Sequence, residues 1–413
     1  MQDIRRFRDR LVATIGAYLR ASVDTTGGRL IVDLSTIAQN DARTGIQRVV
    51  RALWWLLHDT PLEGYSVVPV VATAKRGYCV APITDGEVRM PAPDAPLVEI
   101  GAGDIFLGLD LAAHRLWRHR RQMARWKRRG ATVAITVYDL LPLREPDWFP
   151  SSTARNFGRW IRIVMRYADL ALCISQQVVA DMRSLMEVQG TGYRRLPQLV
   201  HLPLSGDISG SRPSGGIDDA GRAIIAKMEQ RPTILMVGTI EPRKAHTVLL
   251  MAYDHWRDTA GDEAPDLVIV GRRGWRTEAL QQRMLEHPAR GDRFVWLDDA
   301  SDELLAALYV RAALVVVPSY GEGFGLPVVE ALGFGCRVLA RDLPVFRELD
   351  REGLSYFESD APVALVQAMS AALQQPPPVP ASMSEDWTVS LSVILHALAI
   401  KVKTAASNET PGA

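Results

Sequence analysis

Two glutamates, Glu322 and Glu330, stand with seven residues between them in the stretch Val317-Pro318-Ser319-Tyr320-Gly321-Glu322-Gly323-Phe324-Gly325-Leu326-Pro327-Val328-Val329-Glu330. An apolar, strand-like run ends at Pro318. A glycine-rich turn follows, and Pro327 suits the first turn of a helix, where its missing N–H costs nothing. Glu322 therefore falls in the loop and Glu330 in the opening turns of the helix. Gly321, Gly323 and Gly325 let backbone approach a ligand closely. The free N–H groups at the helix start favour an anion such as phosphate. These parts point to a site that holds a sugar by one glutamate and a ribose by the other.

A second stretch, Val237-Gly238-Thr239-Ile240-Glu241-Pro242-Arg243-Lys244, also follows an apolar run. Transfer of a sugar from a nucleotide donor needs a neutralised diphosphate, oriented hydroxyls and tolerance of positive charge at the anomeric carbon. Arg243 offers an always-charged fork and Lys244 a point charge, the groups a diphosphate takes. A third stretch, Thr44-Gly45-Ile46-Gln47-Arg48, opens a helix with Thr44 as N-cap, so the Gly45 N–H can meet a phosphate.

Together the three stretches resemble glycosyltransferase family 4, retaining enzymes of the GT-B fold. Glu322 and Glu330 look like its E-x7-E signature, and the other two stretches look like its phosphate-binding loop and first glycine loop. They occur in the family's order, and the resemblance covers roughly residues 29 to 375. It implies that Glu322, Arg243 and Lys244 carry catalysis. It implies donor contacts at Gly45, Gly238, Gly323, Phe324, Gly325, Leu326 and Glu330, and a nucleobase near the loop 271–275. Acceptor-side candidates are Tyr138, Asp139 and Arg48. Many relatives have His-Asp where this chain has Tyr138-Asp139, so no catalytic histidine is carried over. Tyr138 can still donate a hydrogen bond and Asp139 can hold an acceptor hydroxyl. Ser175 is read first as an N-cap and Glu348 as structural.

Strand and helix patterns alternate along the chain, the sign of α/β layers with parallel sheets. Strands are expected at 30–34, 67–71, 104–109, 131–137, 170–174 and 199–202, then at 233–237, 266–270, 294–297, 313–317 and 336–340. Helices are expected at 45–58, 112–128, 152–167 and 176–187, then at 246–257, 276–286, 302–311, 327–333 and 362–374. The alternation gives the fold class α/β, and the resemblance implies a GT-B arrangement of two Rossmann-like, doubly wound domains facing a central cleft. The expected divisions are a basic amphipathic helix within 1–28, an acceptor-side domain 29–205 and a Gly/Ser/Pro-rich linker 206–222. A nucleotide-sugar-binding domain 223–375 follows, then a crossover helix and flexible tail 376–413.

The 413 residues are 47% hydrophobic and 23% charged with a net charge of +1, ordinary for a globular protein and not tuned for nucleic acid. Three separated cysteines argue against a disulfide framework or zinc site and for a cytoplasmic protein. No apolar run approaches bilayer length. Residues 4–20 and 114–129 are strongly basic, the latter with Trp117 and Trp126 interleaved, which suits peripheral contact with the inner face of the cytoplasmic membrane. No D-x-D sequence occurs, so no metal or other cofactor is expected, and the nucleotide diphospho-sugar is the substrate. The expected activity is retaining transfer of a hexose, mannose-like by family habit, to a glycan or lipid-linked acceptor in surface polysaccharide assembly. Alternatives are a non-catalytic GT-B partner subunit and a sugar-nucleotide epimerase of the same fold. A dinucleotide oxidoreductase is disfavoured because the glycines do not form G-x-G-x-x-G.

Overall fold

A computed structural model describes residues 27–39, 44–84, 86–208, 215–379 and 387–403. The basic segment 4–20 and the tail beyond 403 lie outside the described residues, as does part of the linker.

The first domain is built on a seven-stranded sheet: β1 (Gly28–Asp33), β2 (Tyr65–Val71), β3 (Cys79–Val80), β4 (Ile105–Gly108), β5 (Thr132–Val137), β6 (Leu170–Cys173) and β7 (Gln198–His201). Their order is β3-β2-β1-β4-β5-β6-β7, parallel except for β3. The second sheet holds β8 (Thr233–Val237), β9 (Asp266–Val270), β10 (Phe294–Leu297), β11 (Leu314–Val317), β12 (Val338–Arg341) and β13 (Leu354–Phe357). It runs β10-β9-β8-β11-β12-β13, all parallel. Helices cover both faces of such sheets, so the strands are continuous apolar runs. Ile234 and Met236 of β8 enter one core of the second domain and Leu235 enters the other, as the two-residue side-chain period requires. Strand order reverses between β1 and β4, and again between β8 and β11. A crevice outside the carboxyl ends of strands at such switch points is where ligands bind in α/β sheets.

The helices are α1 (Gly45–Asp59), α2 (Arg120–Arg128), α3 (Leu141–Arg144), α4 (Ser151–Tyr167), α5 (Gln176–Gln189), α6 (Asp219–Met228), α7 (His246–Ala260), α8 (Glu278–Leu285), α9 (Asp302–Arg311), α10 (Leu326–Gly333), α11 (Pro344–Arg347), α12 (Pro362–Gln374) and α13 (Trp387–Ala397). Helix α13 joins the first domain's core through Trp387, Leu391, Ile394 and Leu395. Trp387 Nε1 donates to the Asp207 carbonyl at 3.0 Å and Ser390 Oγ to the Pro203 carbonyl at 2.6 Å, tying the returning chain to the crossing segment.

Three expectations need correction. The linker 206–222 contains the start of α6: Asp218 caps it by accepting from the Gly221 N–H at 2.8 Å, and Ile224, Ile225 and Met228 face a core. The single helix expected at 112–128 is a 3₁₀ turn, Leu116–His119, followed by α2. Trp126, read as able to meet lipid, is fully buried in the first core. Trp117 is covered by the guanidinium groups of Arg118 and Arg159, 5.0 and 4.5 Å from the ring centre. Among the described residues no helix is long and apolar enough to cross a membrane.

At the carboxyl end of β1 a buried polar cluster stiffens the first domain. Asp33 accepts from Tyr78 Oη at 2.8 Å, from the Ser35 N–H at 2.9 Å and from Ser35 Oγ. Asp110 lies buried beside it and accepts from the N–H groups of Thr36 and Ile37 at 2.6 and 2.9 Å. Burial, then the charge of Asp110, pushes Asp33 up to about 7 against the pull of its donors. Folding therefore favours protonated Asp33. Its contribution is fully present below the unfolded value of about 4 and is lost as pH rises through about 7. Urea unfolding between pH 4 and 8 should show wild-type stability falling across this window. Asp33→Asn should flatten that part of the fall; parallel curves would contradict the assignment.

Candidate active site

The loop after β8 and the loop after β11 meet at the second domain's switch point. The Tyr320 N–H donates to the Arg243 carbonyl at 2.8 Å and fixes one loop to the other. Residues Pro242–Lys244 form one 3₁₀ turn before α7. The β11 loop ends at Gly325, whose φ of 103° only glycine adopts readily, and α10 starts there with Pro327 in its first turn.

The cleft between the domains encloses about 380 Å³. Gly238, Arg243, Lys244 and the segment Glu322 to Pro327 line it from the second domain, and Gly45, Arg48 and Asp139 from the first. Gly321 and Gly323 also let the first domain approach closely. A Cβ on Gly323 would stand 2.0 Å from the Tyr138 carbonyl oxygen, and one on Gly321 would stand 2.7 Å from the Trp148 ring. Phe324 and Leu326 pack against the first core, and Leu326 reaches to 3.1 Å of where a Gly45 Cβ would lie.

Glu322 is buried and hydrogen-bonded through both carboxylate oxygens. It accepts from Arg243 Nη1 at 2.8 Å, Lys244 Nζ at 2.5 Å and Ser319 Oγ at 2.7 Å. Burial works to raise it, but Lys244 and Arg243 hold it down at about 2. Arg243 also pairs with Glu241 through Nη2 at 2.7 Å. Burial opposes its charge, and Glu322, Glu241 and Asp139 more than restore it. Behind this group, His246 lies buried at the start of α7 against the Gly238 backbone. Burial, then Lys244, pushes it down to about 3, so it is neutral at working pH.

On the opposite wall, Asp139 accepts from the Leu141 N–H at 3.1 Å. Burial pushes it up to about 6; Arg243 pulls it down while Glu322 and Glu241 push it further up. Tyr138 lines the cleft, but the hydroxyl expected as an acceptor-side donor points away from it. Its hydroxyl donates to the Leu109 carbonyl at 2.8 Å inside the first core, because an unpaired phenol buried there would be costly.

Glu330 lies on α10 and is 2% exposed. It accepts from Tyr309 Oη at 2.9 Å and from Arg48 Nη1, which comes from α1 of the other domain. Arg48 Nη2 donates to Asp302 at 2.9 Å, and the flanking carboxylates raise the guanidinium's pKa against burial. The α1 start that aims Arg48 is a capping box: Thr44 Oγ1 accepts from the Gln47 N–H at 3.4 Å, and Gln47 Oε1 from the Thr44 N–H at 3.1 Å. Glu348 also crosses the domain boundary. It caps α5 by accepting from the N–H groups of Gln176 and Gln177 at 2.8 and 2.5 Å, beside Ser175 as N-cap.

The sequence analysis missed Glu241, Asp302, Tyr309, Ser319 and His246. Glu241 and Ser319 sit inside the quoted loops and were legible there as spare polar groups. Asp302 and Tyr309 are one helix apart from any motif and carry no signal of their own.

Residues 218–387 match the family described as Glycosyl transferases group 1. The chain is 34% identical over 381 residues to the serotype-specific mannosyltransferase WbdA of Escherichia coli, covering 90% of this chain and 44% of the relative. It is 32% identical over 136 residues to the O-antigen chain mannosyltransferase RfbU of Salmonella typhimurium, covering 33% of this chain and 37% of the relative. The chain thus spans less than half the length of these relatives. Among solved structures, sucrose-phosphate synthase from Thermosynechococcus elongatus superimposes with a TM-score of 0.59 at 15% identity, over 90% of this chain and 98% of that one. Anabaena Alr3699/HepE, solved with UDP and glucose, superimposes with a TM-score of 0.58 at 14% identity, over 90% and 99%.

Two substitutions separate a buried charge from a buried hydroxyl. Arg48→Ala leaves buried Glu330 without the cation that pairs it across the cleft and should cost about 3 kcal/mol or more. Tyr138→Phe removes one hydrogen bond and should cost about 1 kcal/mol. Thermal and urea unfolding of the two variants should preserve that order.

Proposed function

We infer the function from a chain that belongs to the group 1 glycosyl transferases through residues 218–387 and that folds as two Rossmann-like domains of GT-B type. We propose that it moves a hexose, mannose-like, from a nucleotide diphospho-sugar to a glycan or lipid-linked acceptor in surface polysaccharide synthesis, with retention. The mannosyl and polysaccharide assignments draw on the names of WbdA and RfbU.

The observation that carries this reading is the pair Arg243 and Lys244, held at the cleft floor by Glu322. A fork and a point charge beside the α7 loop suit a diphosphate leaving group and take the part that a metal plays elsewhere. The proposed reaction therefore needs no metal or cofactor. With a pKa near 2, Glu322 stays ionised at working pH and cannot act as an acid. In this reading it accepts from sugar hydroxyls and stabilises positive charge growing at the anomeric carbon. In a front-face attack the leaving phosphate oxygen takes the acceptor proton, and no carboxylate pair is needed for double displacement. In this reading Asp139, on the first-domain wall, holds the acceptor hydroxyl above about pH 6, where it is charged. Glu330 would take the ribose hydroxyls, with Arg48 turning towards Asp302 to free an oxygen. A lipid-linked acceptor places the enzyme in the cytoplasm beside the inner face of the membrane, with no nucleic-acid partner.

Thermal stabilisation across UDP-, GDP-, dTDP- and ADP-sugars tests this directly. One nucleotide sugar should stabilise the protein saturably, and Arg243→Ala should weaken that at least about tenfold. Glu322→Gln should keep nucleotide binding but slow release of free sugar by roughly a hundredfold. Absence of any nucleotide-sugar binding at millimolar concentration would overturn the reading in favour of a non-catalytic subunit. Turnover of donor to its epimer without acceptor would overturn it in favour of an epimerase.

A further inference from the structure

Helix α4 sets Arg155, Arg159, Arg162 and Arg166 at spacings of four, three and four, so all four lie on one face, and all four are exposed. The opposite face, with Phe157, Trp160, Ile161 and Val164, is buried in the first core. The helix contains no acidic residue. Like charges at these spacings repel along a helix, so the row works against the helix that carries it. Among the described residues no carboxylate partner is resolved for any of the four.

The row does not stand alone. Arg155, Arg159 and Arg162 line a groove of about 450 Å³ with Leu143, Gly158 and Gln189. Arg159 lies over Trp117, and Arg118 covers the same ring, so the 116–119 turn continues the surface. Arg120, Arg121 and Arg128 extend it along α2, all exposed and with no acidic partner resolved. By contrast Arg125 and Arg129 pair with Glu99, and Lys127 pairs with Asp169. Gln122 ties α2 to Tyr78 and Val98, and their neighbours Val80 and Leu97 are exposed apolar side chains at 37% and 45%.

We propose that the arginine face of α4, with Arg118, Arg120 and Arg121, is a docking surface for the anionic headgroups of a phospholipid bilayer. All of these cations are arginines, whose forks match phosphate oxygens. Phe157 and Trp160 of α4 are buried rather than offered to the surface, which suits adsorption to a charged surface better than stacking with nucleobases. The apolar fringe across α2 suits the boundary of the acyl region. This rests on the peripheral placement proposed above and extends it from the tryptophan-bearing stretch to a helix that sequence reading did not single out. The surface lies on the acceptor-side domain, where a lipid-linked acceptor would arrive.

The full chain should co-sediment with vesicles of phosphatidylcholine and phosphatidylglycerol, and raised salt should weaken this. The variant Arg155→Gln, Arg159→Gln, Arg162→Gln, Arg166→Gln should lose at least about a hundredfold in partitioning, at roughly fivefold per arginine. The same number of changes at Arg222, Arg231, Arg257 and Arg290 of the second domain should have little effect. Unchanged binding by the α4 variant overturns the proposal, because the basic segment before residue 27 would then suffice. Equal binding to phosphatidylcholine alone also overturns it. Displacement from vesicles by millimolar inorganic phosphate overturns it in favour of a free-anion site, and tighter binding to single-stranded RNA in favour of nucleic acid. Nucleotide-sugar stabilisation is read on the same α4 variant and should persist, which keeps a failure here distinct from a failure of the transferase reading.

Discussion

A carboxylate taken out of water must be met by hydrogen-bonded cations, and this protein meets that demand twice in one cleft. Glu322 is satisfied from within the second domain by Arg243, Lys244 and Ser319. Glu330 is satisfied partly from the other domain, by Arg48, with Tyr309 on its second oxygen. The first arrangement shapes a binding floor. The second makes the distance between the domains part of the electrostatics of the site. Separating the domains would leave Glu330 and Asp302 without Arg48, and would leave the start of α5 without Glu348. Closure is therefore held by charge and capping as well as by the packing of Phe324 and Leu326.

The charges in the cleft are also coupled in sequence of approach. Arg243 holds Glu322 ionised, and the same guanidinium restrains Asp139, which burial drives upward. A diphosphate that drew Arg243 towards itself would loosen both restraints at once. Two carboxylates in one cavity are thus set to different tasks by their surroundings: one permanently charged at the floor, one titrating near 6 on the wall. His246 shows the converse. Buried behind Lys244, it stays neutral and adds no competing charge to a floor that already carries two cations.

Glycine placement joins fold and site. The turn Gly321 to Gly325 does two things with the same residue type. Gly325 takes a left-handed conformation that starts α10, while Gly323 lets a loop of one domain touch the backbone of the other. A side chain at 323 would strike the Tyr138 carbonyl, so the residue that aligns with a donor contact in the motif is also a condition of domain contact.

Much was legible in the chain without coordinates. The continuous apolar runs, the capping signals at Thr44 and Ser175, and Pro327 after a glycine turn are local, set by backbone sterics and burial over a few residues. They sufficed to place most strands and helices, while the family resemblance brought Arg243, Lys244, Glu322 and Glu330 into one region. Helix α6 was partly hidden because its Asp218 cap sits inside a Gly/Ser-rich stretch. The pairing of charges was not local and could not be read. Arg48 and Glu330 are 282 positions apart, and nothing in either segment names the other. Whether Tyr138 points into the cleft or the core, and which arginines of 114–129 keep carboxylate partners, depends on what other strands and helices bring alongside. So does the row on α4: its spacing is in the sequence, but only the buried position of Trp160 and Phe157 decides that the arginines face outward. Local sterics are written in consecutive residues, whereas burial and electrostatic partnership exist only once distant segments share the same space.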